Sequence, residues 1–126
     1  MVRYYHYTST RNAESIRKDG KLRKGYRNII LTTLEPKNFN RDQILDKVYG
    51  KNYDRRQFGN RADWVVVVDS SKLDSGKLRK ISEEIFEYPE DIKINPNDVM
   101  DKPKCIPRSS GSSQWSANTD GTIYVL

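Results

Sequence analysis

The feature that most constrains the fold is an apolar run in the middle of the chain, Trp64-Val65-Val66-Val67-Val68. Four consecutive β-branched residues favour a strand, because their branched side chains pack well on a pleated surface. The run has no polar face, and such strands lie inside sheets that are covered on both sides. It therefore predicts a central strand, for which the rest of the chain supplies neighbours and covering layers.

Two short helices are predicted before this strand. The first follows a hydroxyl-rich stretch at 8–10, in which each side chain can cap a helix, and it closes at Gly20. The second begins after Asn40, which forms a capping-box pattern with Gln43. Both helices come early, and predicted strands dominate the chain that follows.

Further strands are predicted at 2–7, 29–34, 85–88 and 91–94, and the last of them alternates with period two. Two stretches, 51–61 and 98–113, are predicted to be a mobile loop and a flexible segment. Trp64 and Trp115 are predicted core residues, and a turn at 118–121 predicts a terminal hairpin. Helices followed by strands predict one α+β domain over residues 1–126 with antiparallel sheets.

The charge balance points to an anionic partner. Lys and Arg number 23 against 17 Asp and Glu, which gives a formal net charge of +6. The excess is concentrated between residues 11 and 27. A contact surface for nucleic acid or another anion is predicted to use Arg17, Lys18, Lys21, Arg23, Lys24, Arg27, Arg55 and Arg56. The alternative is an ordinary solvated face, which any charged run can form.

Several classes of site are excluded by composition. Cys105 is the only cysteine and His6 the only histidine, so neither an internal disulfide nor a zinc site is expected. No Gly-rich phosphate loop is present, and no stretch approaches the roughly 20 apolar residues of a membrane span. The chain enters a predicted strand at once, without a secretory segment. We therefore expect a cytoplasmic protein, or one delivered into the cytosol of a target cell.

His6 stands in an aromatic strand that is followed directly by hydroxyl residues and a helix start, Tyr4-Tyr5-His6-Tyr7-Thr8-Ser9. Such a stretch predicts one wall of a nucleotide pocket. The alternative is a histidine whose hydrogen bonds are satisfied inside the sheet.

These residues resemble a known family of enzymes. Tyr5-His6-Tyr7-Thr8-Ser9, a helix ending at Gly20, and the strand Ile30-Leu31-Thr32-Thr33-Leu34-Glu35-Pro36 are similar to the opening of ADP-ribosyltransferases with a His-Tyr-acid signature. The small toxin-type branch named for its His-Tyr-Asp residues is the nearest, and diphtheria toxin and the poly(ADP-ribose) polymerases are more distant. Residues 61–69 and 86–94 continue the resemblance in order, so that it covers about three-quarters of the 126 residues.

The resemblance implies two packed antiparallel sheets with NAD⁺ in a cleft between them. The residue at the His6 position would hydrogen-bond the adenosine-side ribose, and the backbone of Tyr7 would hold the nicotinamide carboxamide. Thr8 would add a hydroxyl contact, with a minor contribution from Thr32. No metal is implied.

An acidic residue at the start of a late strand would complete the site. A carboxylate beside the nicotinamide ribose stabilises the positive charge that develops as the glycosidic bond breaks. Glu90 and Asp91 both match this position, and the sequence leaves the choice between them open. One departure concerns the family's stacking tyrosine, because Ile30 occupies its place. Tyr26 is the candidate to supply a ring instead.

Two functions follow as hypotheses. The first is an NAD-dependent ADP-ribosyltransferase, or an NAD glycohydrolase, in a monomeric toxin-like effector domain with a protein or nucleic-acid acceptor. The second is an inactive module of the same fold that binds nucleic acid or another anionic partner. Ile30 and the basic segment 11–27 favour the second.

Overall fold

The computed structural model describes residues 2–105. In chain order the elements are β1 (Arg3–Thr8), α1 (Thr10–Asp19), β2 (Lys21–Leu22), β3 (Ile29–Thr32), α2 (Arg41–Tyr49), α3 (Arg55–Phe58), β4 (Trp64–Asp69), β5 (Arg79–Ser82), β6 (Ile85–Tyr88), β7 (Ile92–Lys93) and β8 (Val99–Asp101). Single 3₁₀ turns lie at Ser70–Lys72 and Pro96–Asp98. The fold is α+β, as the sequence predicts.

Six strands form one antiparallel sheet in the order β5-β6-β3-β1-β4-β8, and β2 pairs with β7 in a separate two-stranded ribbon. The apolar run is β4, which lies between β1 and β8 inside the sheet. Val66 and Val68 pack into a core on one side of the sheet and Val65 into a core on the other, all fully buried. The prediction of a strand covered on both faces is confirmed.

The first core joins the sheet to α1 and to the β2–β7 ribbon. Ala13 and Ile16 from α1 meet Leu22 and Ile92 from the ribbon, and all four are buried against the sheet. The ribbon is therefore a second, small antiparallel layer packed on one face of the large sheet.

The second core lies under α2 on the opposite face. Ile44 and Leu45 are buried against Tyr5 and Tyr7 of β1, and Phe39 packs beside them just before the helix. One face of β1 is thus covered by α2, and the other face is covered by α1 and the ribbon.

Helix ends follow the sequence signals. The Ser9 side chain accepts a hydrogen bond from the Asn12 N–H, and Gly20 closes α1 in the left-handed region with φ of 72°. At α2, Asn40 and Gln43 form the complete capping box.

Several local predictions were wrong. Residues 51–61 are not only loop, because Asp54 caps the short helix α3. The segment 98–113 is not flexible at its start, since Val99–Asp101 pairs with β4 and Val99 is buried. Trp64 is half-buried rather than fully in the core, and its indole N–H donates to Thr10. The edge strand β5, which had no apolar pattern to mark it, was not predicted.

The remainder of the segment 98–113 beyond Cys105, Trp115 and the predicted hairpin around 118–121 lie outside the described residues. No helix in the described part of the chain is long and apolar enough to cross a membrane.

Replacing Asn40 by Ala is expected to lower the free energy of unfolding by about 1 kcal/mol, because the N-terminal amides of α2 lose their cap. The measurement is urea denaturation followed by circular dichroism. Asn52→Ala is the matched control, an exposed asparagine outside any helix. Equal losses in the two variants would contradict a capping role for Asn40.

Candidate functional site

The large sheet is split between β1 and β3. β1 pairs with β4 along its whole length, from Arg3↔Asp69 to Thr8↔Trp64. With β3 it shares a single register pair, Tyr5↔Thr32. No further register pair joins the two strands, so the main-chain groups that face each other beyond it are not part of a continuous ladder. A ligand placed in the gap can take up such hydrogen bonds.

His6 bridges the split. Its Nδ1 lies 2.8 Å from the carbonyl oxygen of Ile30 on the opposite strand. Because a carbonyl oxygen only accepts, Nδ1 must carry a proton and donate it. The remaining ring nitrogen, Nε2, is then an acceptor when the ring is neutral. Nε2 has no hydrogen-bond partner in the described part of the chain and is not sealed from solvent.

The surroundings of His6 keep it neutral. Desolvation by burial lowers the pKa of His6 below its ordinary value of 6.5, and the hydrogen bond to Ile30 opposes this shift only in part. Near pH 7 the imidazole is therefore uncharged. It presents an acceptor that suits a hydroxyl group, and it adds no charge to the cleft.

A cavity of about 280 Å³ occupies the split. It is lined from both strands, from the connector that precedes β3, and from the helical segment 44–61. The lining residues are Tyr5, His6, Tyr7, Leu22, Arg23, Arg27, Asn28, Ile29, Ile30, Thr32, Ile44, Leu45, Val48, Tyr49, Phe58 and Arg61. The floor is apolar and the polar groups lie at the rim, as in many small-molecule sites.

The charges on this cavity have one sign. Arg23, Arg27 and Arg61 contribute guanidinium groups, and no carboxylate is among the described lining residues. Arg23 is paired with Asp19 at 3.1 Å, just outside the cavity. Arginine matches phosphate geometry through paired N–H donors, so the rim suits a phosphorylated ligand.

Two aromatic rings form one end of the cavity. Tyr49 and Phe58 stack with centroids 4.5 Å apart, and the Arg61 guanidinium lies 5.7 Å from the Phe58 ring centroid. These rings provide a flat apolar surface beside the basic rim.

A second cavity of about 260 Å³ lies on the other side of His6, between β1, α1 and β2. It shares His6, Leu22 and Arg23 with the first cavity. Its remaining lining residues are polar or charged apart from Ile16, namely Thr8, Asn12, Ser15, Ile16, Asp19 and Lys21. The two cavities form a two-lobed cleft around His6, which we call the split-sheet cleft.

The structure brings most of the predicted cofactor-binding residues together. His6, Tyr7, Ile30 and Thr32 line the first lobe and Thr8 lines the second. Two of their hydroxyl groups are engaged within the protein. Tyr7 donates to the Leu34 carbonyl at 2.6 Å, and Thr32 donates to the Glu84 carbonyl at 2.7 Å. These two side chains shape the wall of the cleft.

Tyr26 lies elsewhere. Its relative exposure is 107%, and it is not among the residues that line the cleft. The ring predicted to replace the stacking tyrosine at Ile30 is therefore on the outer surface of the connector.

The predicted acids also lie outside the cleft lining. Glu90 pairs with Lys77 at 2.8 Å, and an Asp91 carboxylate oxygen accepts the Lys24 N–H at 2.7 Å. Asp91 thus anchors the connector that carries two of the rim arginines. Glu87 on β6 is the acid in direct register with Ile30, and it pairs with Arg79 of β5.

The predicted basic surface is divided. Arg17 covers the Trp64 ring at 5.1 Å and donates to the Val99 carbonyl. Arg55 pairs with Asp42 on the side of α2 and α3. Arg56 is exposed on α3, and Lys18 is exposed on α1. The remaining four predicted cations, Lys21, Arg23, Lys24 and Arg27, belong to β2 and the connector beside the cleft.

Sequence reasoning missed Tyr49, Phe58 and Arg61. Phe58 ends α3 and Arg61 follows shortly after it. The sequence signals for this helix are Asp54 before it and Gly59 after it. Four residues are too few to show a helical period, so the sequence predicts a loop there.

No group of three or more His, Cys, Asp or Glu residues within 2–105 is arranged to hold a metal ion. Comparison with protein-family models, with curated proteins and with solved structures gave no match for this chain.

Acid is expected to destabilise the protein through His6. The unfolded chain takes up a proton near pH 6.5 and the folded chain only at lower pH, so protonation favours unfolding. The free energy of unfolding should fall as pH drops from about 6.5 toward about 5, above the range in which most carboxylates titrate. In His6→Gln the decrease in the free energy of unfolding over this pH range should disappear. Chemical denaturation at a series of pH values measures it, and equal slopes in both proteins would contradict the assignment.

Proposed function

We propose that the split-sheet cleft binds NAD⁺ and that the protein is an ADP-ribosyltransferase or NAD glycohydrolase. The observation that carries the proposal is the neutral His6, which spans the split with Nδ1 and keeps Nε2 as a hydroxyl acceptor. A ribose hydroxyl is the ligand group that such an acceptor fits. The sequence resemblance to ADP-ribosyltransferases with a His-Tyr-acid signature adds independent support.

The chemistry around His6 matches the other parts of a dinucleotide. Arg27 and Arg61 on the rim suit a pyrophosphate, and the cavity that they border has no described carboxylate to repel it. Tyr49 and Phe58 present rings on which a nicotinamide can stack. In this proposal they replace the aromatic ring that is missing at Ile30.

The reaction proposed is cleavage of the bond between nicotinamide nitrogen and ribose C1′. Nicotinamide leaves as a neutral molecule with the electron pair of that bond. An acceptor oxygen or nitrogen forms the new bond to C1′ and releases its proton to water. With water as the acceptor, the product is ADP-ribose.

Glu87 is the carboxylate that we assign to the ribose. It is the register partner of Ile30, and alternation along β6 puts it on the same face of the sheet as the Ile30 side chain. Its side chain is 15% exposed, so its charge is only partly screened by water. A fixed negative charge there would stabilise the oxocarbenium-like transition state.

A second candidate function is NAD⁺ binding without turnover. It is favoured by the lining of the first lobe, in which no described residue is acidic, and by Ile30, which stands where the enzymes that the sequence resembles have a tyrosine. Affinity for NAD⁺ together with no nicotinamide release would identify this function.

Nicotinamide release from NAD⁺ is the test of turnover. Glu87→Gln is expected to lower kcat about 100-fold, because it removes the charge from the transition state while keeping the shape of the side chain. Glu90→Gln is the matched control and should leave kcat unchanged, since Glu90 pairs with Lys77 beyond the end of β6 and is not in register with Ile30. A loss confined to Glu90→Gln would reverse the assignment of the acid. If turnover is measurable and neither variant lowers kcat, neither Glu87 nor Glu90 is the catalytic acid.

Tyr49→Ala is expected to weaken NAD⁺ binding about fivefold, the effect of a ring contact of roughly 1 kcal/mol. Tyr26→Ala should leave NAD⁺ affinity unchanged, because Tyr26 lies outside the cleft. Isothermal titration calorimetry compares the two tyrosines, with thermal unfolding as the check that both variants fold. The opposite ranking would show that Tyr26 supplies the stacking ring.

A further inference from the structure

The β2–β7 ribbon carries a pair of like charges. Lys21 and Lys93 are register partners across the ribbon, while the neighbouring pair, Leu22 and Ile92, is buried in the core. Strand alternation directs both lysines to the outside. Neither forms an ion pair in the described part of the chain, and like charges directly opposite each other destabilise a strand pair. An anion lying over the ribbon would remove this repulsion.

The connector after β2 extends the positive surface and adds an aromatic ring. Lys24 and Arg27 are exposed and form no ion pair among residues 2–105. Between them Tyr26 is fully exposed and packs against no part of the core. Cations interleaved with an exposed aromatic ring are typical of surfaces that bind single-stranded nucleic acid, where the cations follow the phosphates and a base stacks on the ring.

Two carboxylates lie near this surface. Asp19 pairs with Arg23, and Asp91 accepts the Lys24 N–H. Both carboxylates are bound by Arg23 and Lys24, the residues directly after β2. The outward-facing side of the ribbon and connector therefore keeps an excess of positive charge. Arg23 also lines both lobes of the cleft, so the surface is continuous with the candidate active site.

We propose that Lys21, Lys24, Tyr26, Arg27 and Lys93 form a docking surface for single-stranded nucleic acid, which we call the ribbon surface. Tyr26 favours this partner over an acidic protein, because phosphates alone would need only the cations. It also favours a single strand over a duplex, in which paired bases are stacked on one another. The further step, which rests on the proposed function, is that the docked strand is the acceptor of ADP-ribose. One of its oxygen or nitrogen atoms would form the bond to C1′, with nicotinamide leaving and the acceptor proton passing to water.

Docking is tested without NAD⁺, by fluorescence anisotropy with a labelled single strand of about 12 nucleotides, as DNA and as RNA. Lys21→Gln/Lys93→Gln should weaken binding about tenfold and lower the salt slope by about 1.4, the value for two phosphate contacts on a single strand. The matched control is Lys37→Gln/Lys80→Gln, with the same change in charge at two exposed lysines outside the ribbon surface. It should change affinity little.

Tyr26→Ala should weaken single-strand binding about tenfold, since the stacking of one base is worth about that much. The proposal is overturned if Tyr26→Ala or Lys21→Gln/Lys93→Gln leaves the affinity for the single strand unchanged. It is also overturned if Lys37→Gln/Lys80→Gln lowers that affinity as much as Lys21→Gln/Lys93→Gln does. Equal affinity for the duplex, equal displacement by polyglutamate, or the lack of binding to DNA and RNA would overturn it as well.

The acceptor step has a separate readout. NAD⁺ labelled in its adenosine half is incubated with the docked strand, and transfer of label to the strand is expected. Nicotinamide release without labelling of a bound strand overturns the acceptor role and leaves the proposed function intact. Docking without nicotinamide release contradicts the proposed function and leaves the ribbon surface intact.

Discussion

The hydrogen bond from His6 Nδ1 to the Ile30 carbonyl is the interaction on which the candidate site depends. A sheet that splits between two strands leaves main-chain groups without their ladder partners, and buried groups of this kind are costly. The imidazole satisfies one of them from the neighbouring strand and holds β1 and β3 together across the gap. The same bond fixes which ring nitrogen carries the proton. Structural support and the proposed ligand recognition therefore depend on a single side chain.

The layers that cover the two faces of the sheet differ in chemistry, so the two sides of the cleft differ as well. On one face α2 supplies apolar side chains and Tyr49, and α3 adds Phe58, which stacks on Tyr49. On the other face α1 and the ribbon provide polar and basic groups. A ligand with an aromatic ring, hydroxyl groups and phosphates is matched by such a division, because each part meets a surface of its own kind. The positive charge continues from the rim onto the ribbon, so an approaching polyanion is drawn toward the cleft.

The parts of the fold that sequence predicted are those with local signals. The valine run of β4 and the capping box at Asn40 each depend on residues close together in the chain. The split between β1 and β3 could not be predicted, because it depends on the register of strands more than 20 residues apart. For the same reason the sequence predicts the acid at Glu90 or Asp91, next to a proline turn. Only strand pairing shows that Glu87 lies opposite Ile30. Tyr26 is predicted as the ring because it lies near Ile30 in sequence, but its side chain is fully exposed in the structure.

The edge strand β5 affects the tendency of the protein to self-associate. An outermost strand offers unpaired main-chain groups to any other strand, which is a route to aggregation. All four residues of β5 are exposed, and Arg79 and Lys80 give it two positive charges. Its register with β6 is also irregular between Lys80 and Ser82. Charge and irregular backbone both oppose the addition of a further strand, so this edge protects the sheet against growth from one molecule to the next.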